Sequence, residues 1–162
     1  MKIVRLDQTC SLTGLAVFDN DNIFKYDLID LHKIKNQEDR FEKMITSISN
    51  YIQNENPDFV VFEDISLQTN VSTLVLLARI QGAIIQTCVD CNIQYKLYKP
   101  SSWRKVHKFN MGRNIKRPEL KQQAKEYILN NYNLDLKIDQ CEAICIGKAF
   151  LIENKKMIEE TK

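Results

Sequence analysis

Apolar and polar positions change period several times along the chain, and each change marks an element. Ile3-Val4-Arg5-Leu6-Asp7 roughly alternates apolar and basic side chains, as in a short strand at the edge of a core, and it ends on a carboxylate. The turn-prone run Gln8-Thr9-Cys10-Ser11-Leu12-Thr13-Gly14 follows, then a second apolar run, Leu15-Ala16-Val17-Phe18. Strands are predicted over residues 3–7, 14–19 and 23–30. Asp19-Asn20-Asp21-Asn22 is a turn signal between the last two, so the three form a meander. Phe41, Met44, Ile45, Ile48 and Ile52 recur at helical spacing and predict an amphipathic helix over 38–54, stopped by Asn56-Pro57-Asp58. Phe59-Val60-Val61-Phe62 is continuously apolar, the pattern of a buried strand parallel to the first. It too ends on an acid, Glu63, with Asp64 behind it.

The second half is helical with one more strand. Residues 71–90 predict a long helix that is apolar on more than one face, through Val71, Leu74, Val75, Leu77, Ala78, Ile80, Ile84 and Ile85. That implies burial on two sides, against its own sheet and against a second subunit. A fifth strand over 93–98 ends at Lys99-Pro100, and Ser101 or Ser102 caps a short helix containing Trp103. Residues 107–117 make a mobile basic loop broken at Met111-Gly112. Pro118 starts a helix carrying Leu120, Ala124, Tyr127 and Ile128, and a last helix begins near Asp139. The order βββαβαβαα predicts an α/β fold, a five-stranded mixed sheet with helices on both faces. Residues 1–154 form one domain and 155–162 a polar tail that frays.

Composition narrows the class. At 162 residues and 44% hydrophobic, the chain suits one packed domain. No apolar run approaches the ~18 residues of a membrane span, and no signal-peptide core follows Met1-Lys2, so an intracellular protein is expected. Five cysteines, Cys10, Cys88, Cys91, Cys141 and Cys145, are an odd count suited to reduced thiols. A zinc site would need the Cys88/Cys91 and Cys141/Cys145 pairs to converge. Both lie in apolar helical patterns, where cysteine acts as a small buried hydrophobe. The net charge of +2 conceals an asymmetry: between Lys96 and Lys125 stand ten cations and one anion, Glu119. Such a segment suits a polyanionic partner better than a solvated face, because its cations flank a loop.

Four carboxylates carry candidate chemistry. With strands one and four parallel and adjacent, Asp7 and Glu63 emerge at one sheet end, where open α/β sheets place their sites. Asp139 and Glu142, three residues apart, share one face of the last helix among apolar neighbours. Clustered carboxylates repel unless cations neutralise them or some protonate. Hard divalent ions, Mg²⁺ or Mn²⁺, fit oxygen ligands, and two ions ~4 Å apart can serve both oxygens of a phosphodiester displacement. Each acid alone also has a bland role, as a cap or a solvated loop residue. Asp64 should point away from the others.

At these residues the chain resembles the RuvC-type Holliday junction resolvases of the ribonuclease H-like superfamily, particularly short versions from phages of AT-rich bacteria. The first motif is Leu6-Asp7 through Thr13-Gly14. The second is Phe62-Glu63-Asp64 with Asn70-Val71 and Arg79-Ile80-Gln81-Gly82-Ala83. Tyr98-Lys99-Pro100-Ser101 matches the strand before the loop, and Asp139-Gln140-Cys141-Glu142-Ala143 matches the final motif. Two departures stand out: Glu142 replaces the family's usual Asp, and Ser66-Leu67-Gln68 lacks the aromatic that often follows the second acid.

The resemblance implies a ribonuclease H-like homodimer that nicks two strands of a four-way DNA junction symmetrically. It implies metal ligation by Asp7, Glu63, Asp139 and Glu142, with Mg²⁺ replaceable by Mn²⁺ and no small-molecule cofactor. A catalytic lysine is implied at the start of the penultimate helix. Lys121, within the helix, is preferred to Lys116. The DNA surface would use Arg104, Lys105, Lys108, Arg113, Lys116 and Arg117, with Leu67 as an apolar wedge. His107 is a candidate proton donor or phosphate contact. A phage protein of this kind would work in the cytoplasm of a bacterial host. Two alternatives stay open: a broader nuclease of the same fold acting on branched DNA or structured RNA, and a non-catalytic junction-binding protein. An actin-like or sugar-kinase ATPase is disfavoured, because the four glycines do not cluster into a second phosphate loop.

Overall fold

Strands β1 (Lys2–Asp7), β2 (Leu12–Asp19) and β3 (Asn22–Asp30) pair antiparallel as a meander in the computed structural model, which describes residues 1–66 and 70–160, with side chains through residue 155. Helix α1 (Gln37–Glu55) starts at Asn36, whose side chain accepts from the Glu38 and Asp39 N–H groups. It stops at Asn56, in the left-handed region at φ 43°. β4 (Phe59–Glu63) returns parallel to β1, α2 (Val71–Asp90) is capped by the Asn70 side chain, and β5 (Gln94–Tyr98) lies parallel to β4. Three helices follow: α3 (Pro100–Val106), α4 (Arg117–Tyr132) and α5 (Ile138–Glu160). The sheet order is β3-β2-β1-β4-β5, so the predicted α/β class and five-stranded mixed sheet hold, with one more helix than the written order, the short α3.

Both faces of the sheet are covered, which is why β1 and β4 read as near-continuous apolar runs. On one side, Ile3, Phe18 and Val61 pack with Trp103 of α3, Ile128 of α4, and Ile144 and Phe150 of α5. On the other, Val4, Leu6, Leu15 and Phe62 pack with Met44 and Ile48 of α1 and Ile80 and Ile84 of α2. The cysteine pairs fall on opposite sides, Cys141 and Cys145 with the first cluster and Cys88 and Cys91 with the second, so they do not converge on a zinc ion.

Several expectations need correction. β1 is the central strand, so Arg5, the alternation's polar member, is fully buried. Its guanidinium lies 4.1 Å from the Phe18 ring centroid, and none of its three nitrogens has a hydrogen-bond partner among the described residues. Its side chain crosses Gly147 of α5, where a Cβ would fall 1.6 Å from Nη1. Neither Ser101 nor Ser102 caps α3. Lys99 occupies the cap position without a side-chain bond, and Pro100 pre-sets the first turn. α5 runs as far as Glu160, into the polar stretch at the end of the chain.

Helix α2 also departs from expectation. An 18-residue window of it reaches a mean hydropathy of 1.4, enough by length and composition to cross a membrane, although no such stretch was expected. Only Ile80, Ile84, Thr87 and Cys88 are buried. The exposed Val71, Val75, Ala78, Gly82 and Val89, with half-buried Ile85, recur in alternating steps of four and three residues, one continuous seam.

Candidate active site

Parallel pairing of β1 and β4 sets Leu6 opposite Phe62, so the next residues, Asp7 and Glu63, leave the same end of the sheet. After Asp7 the chain turns under hydroxyl control. Thr9 Oγ1 accepts from the Ser11 and Leu12 N–H groups at 3.3 and 3.0 Å and donates to the Leu12 carbonyl at 2.6 Å. Gly14 is paired with Asp7 across the ladder. A Cβ at Gly14 would fall 2.1 Å from the Asp139 carbonyl oxygen, so only glycine lets α5 begin directly against β2. That approach delivers Asp139 and, one helical turn on, Glu142.

One carboxylate oxygen from each of Asp7, Asp139 and Glu142 lies within 4.8 Å of the others. Asp7 and Glu142 are buried, and Asp7 Oδ2 has no hydrogen-bond partner among the described residues. Two cations brace the cluster: Lys121 Nζ lies 3.3 Å from Asp139 Oδ1 and 2.9 Å from Glu142 Oε2, and Arg104 Nη2 donates to Glu142 Oε1 at 3.2 Å. Glu63 stands outside the three-oxygen set but inside the same cavity of about 260 Å³, which Arg117 also lines. Its Oε1 accepts from Trp103 Nε1 at 3.0 Å, and its carbonyl oxygen accepts from Gln8 Nε2 at 2.6 Å.

Burial, then the charges of Glu142 and Glu63, hold the Asp7 carboxyl well above the usual carboxylate range. Burial also raises Glu63, against the Trp103 hydrogen bond, which lowers it. For Lys121 burial works downward, but Glu142 and Asp7 outweigh it and push the ammonium up. Lys121 is therefore a fixed positive charge at neutral pH. A buried, unpartnered carboxylate oxygen among oxygen-only donors is the chemistry a hard divalent cation satisfies. The residues present fit such an ion.

The remaining sequence candidates are placed as follows. Lys116 is the residue before α4, and Lys121, not Lys116, contacts the acids. Lys105, Lys108, Arg113 and Lys116 are exposed and make no ion pair among the described residues. Asp64, expected to face elsewhere, lines the same cavity. Its Oδ1 is engaged by the Ile65 N–H at 2.9 Å and Gln81 Nε2 at 3.4 Å. His107 is not in the cavity. Its Nε2–H donates to the Cys145 carbonyl at 2.7 Å, its ring packs on Trp103, Phe109 and Tyr127, and burial keeps it neutral, so it is no proton donor to the site. Leu67 lies outside the described residues. Trp103 and Gln8 were missed as partners of Glu63. The available signal was a lone Trp, a donor-only side chain, beside Arg104.

A family model described as crossover junction endodeoxyribonuclease RuvC matches residues 3–147. Two curated relatives with that description, from Caldicellulosiruptor saccharolyticus and Fusobacterium nucleatum, are 25% and 24% identical over 105 and 104 residues. Each match takes in 62% of this chain, and spans 63% and 55% of the relatives' own lengths, less than two thirds of either. Among solved structures, T. thermophilus RuvC in complex with a Holliday junction substrate superposes with a TM-score of 0.71 at 11% identity, over 92% of each chain. The fowlpox virus resolvase in complex with its substrate Holliday junction DNA gives 0.61 at 16% identity, over 94% of this chain and 98% of that one. At such identities the structural likeness establishes the fold, the ribonuclease H-like sheet shared by these proteins.

Proposed function

This chain belongs to the RuvC family, and on that premise we propose that it is a divalent-metal-dependent endonuclease that resolves four-way DNA junctions by paired symmetric nicks. The observation that carries the proposal is the convergence of Asp7, Asp139 and Glu142 within 4.8 Å, with a buried oxygen on Asp7 that has no hydrogen-bond partner among the described residues. DNA binding alone would gain nothing from such a cluster, which repels phosphate. Asp7, Glu63, Asp139 and Glu142 would hold Mg²⁺, or Mn²⁺ in its place, two ions per site. Bound divalent ions supply water activation and neutralise charge developing on the phosphate and the departing 3′ oxygen.

The chain's own residues do the rest. In the structure Lys121 and Arg104 neutralise the acids. Once cations take over that task, both side chains are freed toward an incoming phosphate, and Lys121 stabilises negative charge developing there. Arg117 lines the same cavity and holds the strand. Lys105, Lys108, Arg113 and Lys116, exposed and without an acidic partner among the described residues, track the backbone of the junction arms and give affinity more than sequence preference. A two-fold dimer would present two such sites to a pseudo-two-fold junction, and the apolar seam of α2 is the surface suited to that pairing.

The proposal is tested by mixing the protein with end-labelled four-way junction, fork and linear duplex, with Mg²⁺, Mn²⁺ or chelator. Metal-dependent cutting of the junction alone is the expected result. Cutting of the fork at an equal rate would make it a general branched-DNA nuclease, and binding without cutting under every metal would overturn the enzymatic reading.

A further inference from the structure

The chain has a single tryptophan, and the structure spends it on one of the four acids. Trp103 is fully buried in α3, and its indole N–H points at Glu63 Oε1 at 3.0 Å. An indole nitrogen only donates, so the direction of this bond is unambiguous. The ring is held from several sides. It meets His107 and Phe109 edge-on, with centroids at 6.4 and 5.9 Å, and His107 is itself tied to α5 through the Cys145 carbonyl. The donor is therefore rigid while the acceptor, a glutamate, is by nature mobile. The next residue of α3, Arg104, donates to Glu142. Consecutive residues of one short helix thus each grip one of the four acids, and Trp103 is the uncharged grip, which no incoming phosphate can draw away.

We propose that Trp103 is a positioning residue for Glu63: its N–H fixes one carboxylate oxygen, so that the other alone is presented to the cation. The inference rests on the metal-site reading given above. A carboxylate held this way is a one-oxygen ligand. That suits small cations with strict six-fold geometry, Mg²⁺ and Mn²⁺, and disfavours Ca²⁺, which readily takes both oxygens of a carboxylate. Hydrogen-bond partners of metal ligands typically contribute ~10–100-fold to metal affinity.

The test is direct cation binding to the full chain by Mn²⁺ electron paramagnetic resonance, with Ca²⁺ as competitor, for wild type and Trp103→Phe. Phenylalanine keeps an aromatic ring and removes the donor. The expected result is Mn²⁺ binding at least ~10-fold weaker in the variant, with Ca²⁺ binding weakened less, and junction binding in chelator unchanged. Mn²⁺ affinity within twofold of wild type overturns the inference, as does equal loss for both ions, which would mark a general disturbance of the core. If Trp103→Phe does not fold, the wild type's own fluorescence decides. Saturating Mg²⁺ should shift Trp103 emission in the wild type and leave it unmoved in Glu63→Ala, and no shift in the wild type overturns the inference. Should the wild type bind no Mn²⁺ at all, the metal-site reading itself fails, a result distinct from wild type and variant binding equally.

Discussion

Replacing Asp7 by Asn should stabilise the metal-free protein while destroying its activity, and the size of the gain follows from the cluster. Asp7 is buried among Glu142, Glu63 and Asp139, and its nearest oxygens lie within 4.8 Å of those of Asp139 and Glu142. Ionising Asp7 within 4.8 Å of another carboxylate would cost about 3 kcal/mol or more at an effective dielectric of ~20, which is why burial among these acids keeps the proton on. Lys121 and Arg104 offset part of that penalty, and retaining the proton that the unfolded chain releases costs folding about 1–3 kcal/mol toward neutrality, a cost the uncharged amide does not carry. For a chain of this size, losing that cost raises the unfolding midpoint by about 3–10 °C.

The gain has a defined pH dependence. The folded protein retains a proton on Asp7 that the unfolded chain releases above pH ~4, so wild-type stability falls as pH rises from there toward the raised folded value. Asn does not titrate, so the two proteins converge near pH ~4 and separate toward neutrality. Thermal unfolding in chelator at acid and at mildly alkaline pH measures this. Mg²⁺ should then stabilise the wild type and not the variant. A variant that melts at or below wild type at alkaline pH in chelator would refute the reasoning, since it would mean that the Asp7 charge is not a burden in the metal-free fold.

Other expectations follow from the same structure. Arg5→Met removes a buried guanidinium that has no hydrogen bond among the described residues and should stabilise the chain by about 1–4 kcal/mol, measured by urea unfolding; destabilisation would show that the Phe18 contact outweighs burial. Gly14→Ala drives a methyl group into the Asp139 carbonyl, and should cost about 1–3 kcal/mol and weaken Mn²⁺ binding together, because α5 must withdraw with both of its acids; unchanged Mn²⁺ affinity would contradict this. Neutralising Lys105, Lys108 and Arg113 together should weaken junction binding and flatten its salt dependence by ~0.9 per lost phosphate contact, and an unchanged slope would place the DNA surface elsewhere.

Much of the frame was legible in the sequence because local signals agreed with the tertiary structure. The α2 bounds follow from its apolar run and the Asn70 cap, and the meander from the Asp19–Asn22 turn. The juxtaposition of Asp7 with Glu63 needed only two buried strands running parallel, and that of Asp139 with Glu142 only helical spacing. What sequence could not supply was depth. Arg5 alternates with apolar residues as a solvent-facing side chain would, but β1 is central and covered on both faces, so the guanidinium is trapped beneath α5. His107 looked available in a basic segment, yet packing of α3 on α4 and α5 turned it inward. The cysteine pairs looked alike in spacing and were separated by the sheet. Trp103 was legible as core; that its one polar atom meets Glu63 depends on how α3 docks, which no local pattern encodes.

The most direct test of the central claim, that the converged carboxylates are the hydrolytic centre, compares wild type with Asp7→Asn on one labelled four-way junction, scoring binding and cutting in parallel with Mg²⁺ and with chelator. The account predicts paired nicks by the wild type only with Mg²⁺, and a variant that binds the junction at least as tightly but does not cut. Cutting by Asp7→Asn at the wild-type rate, or loss of junction binding along with cutting, would contradict it.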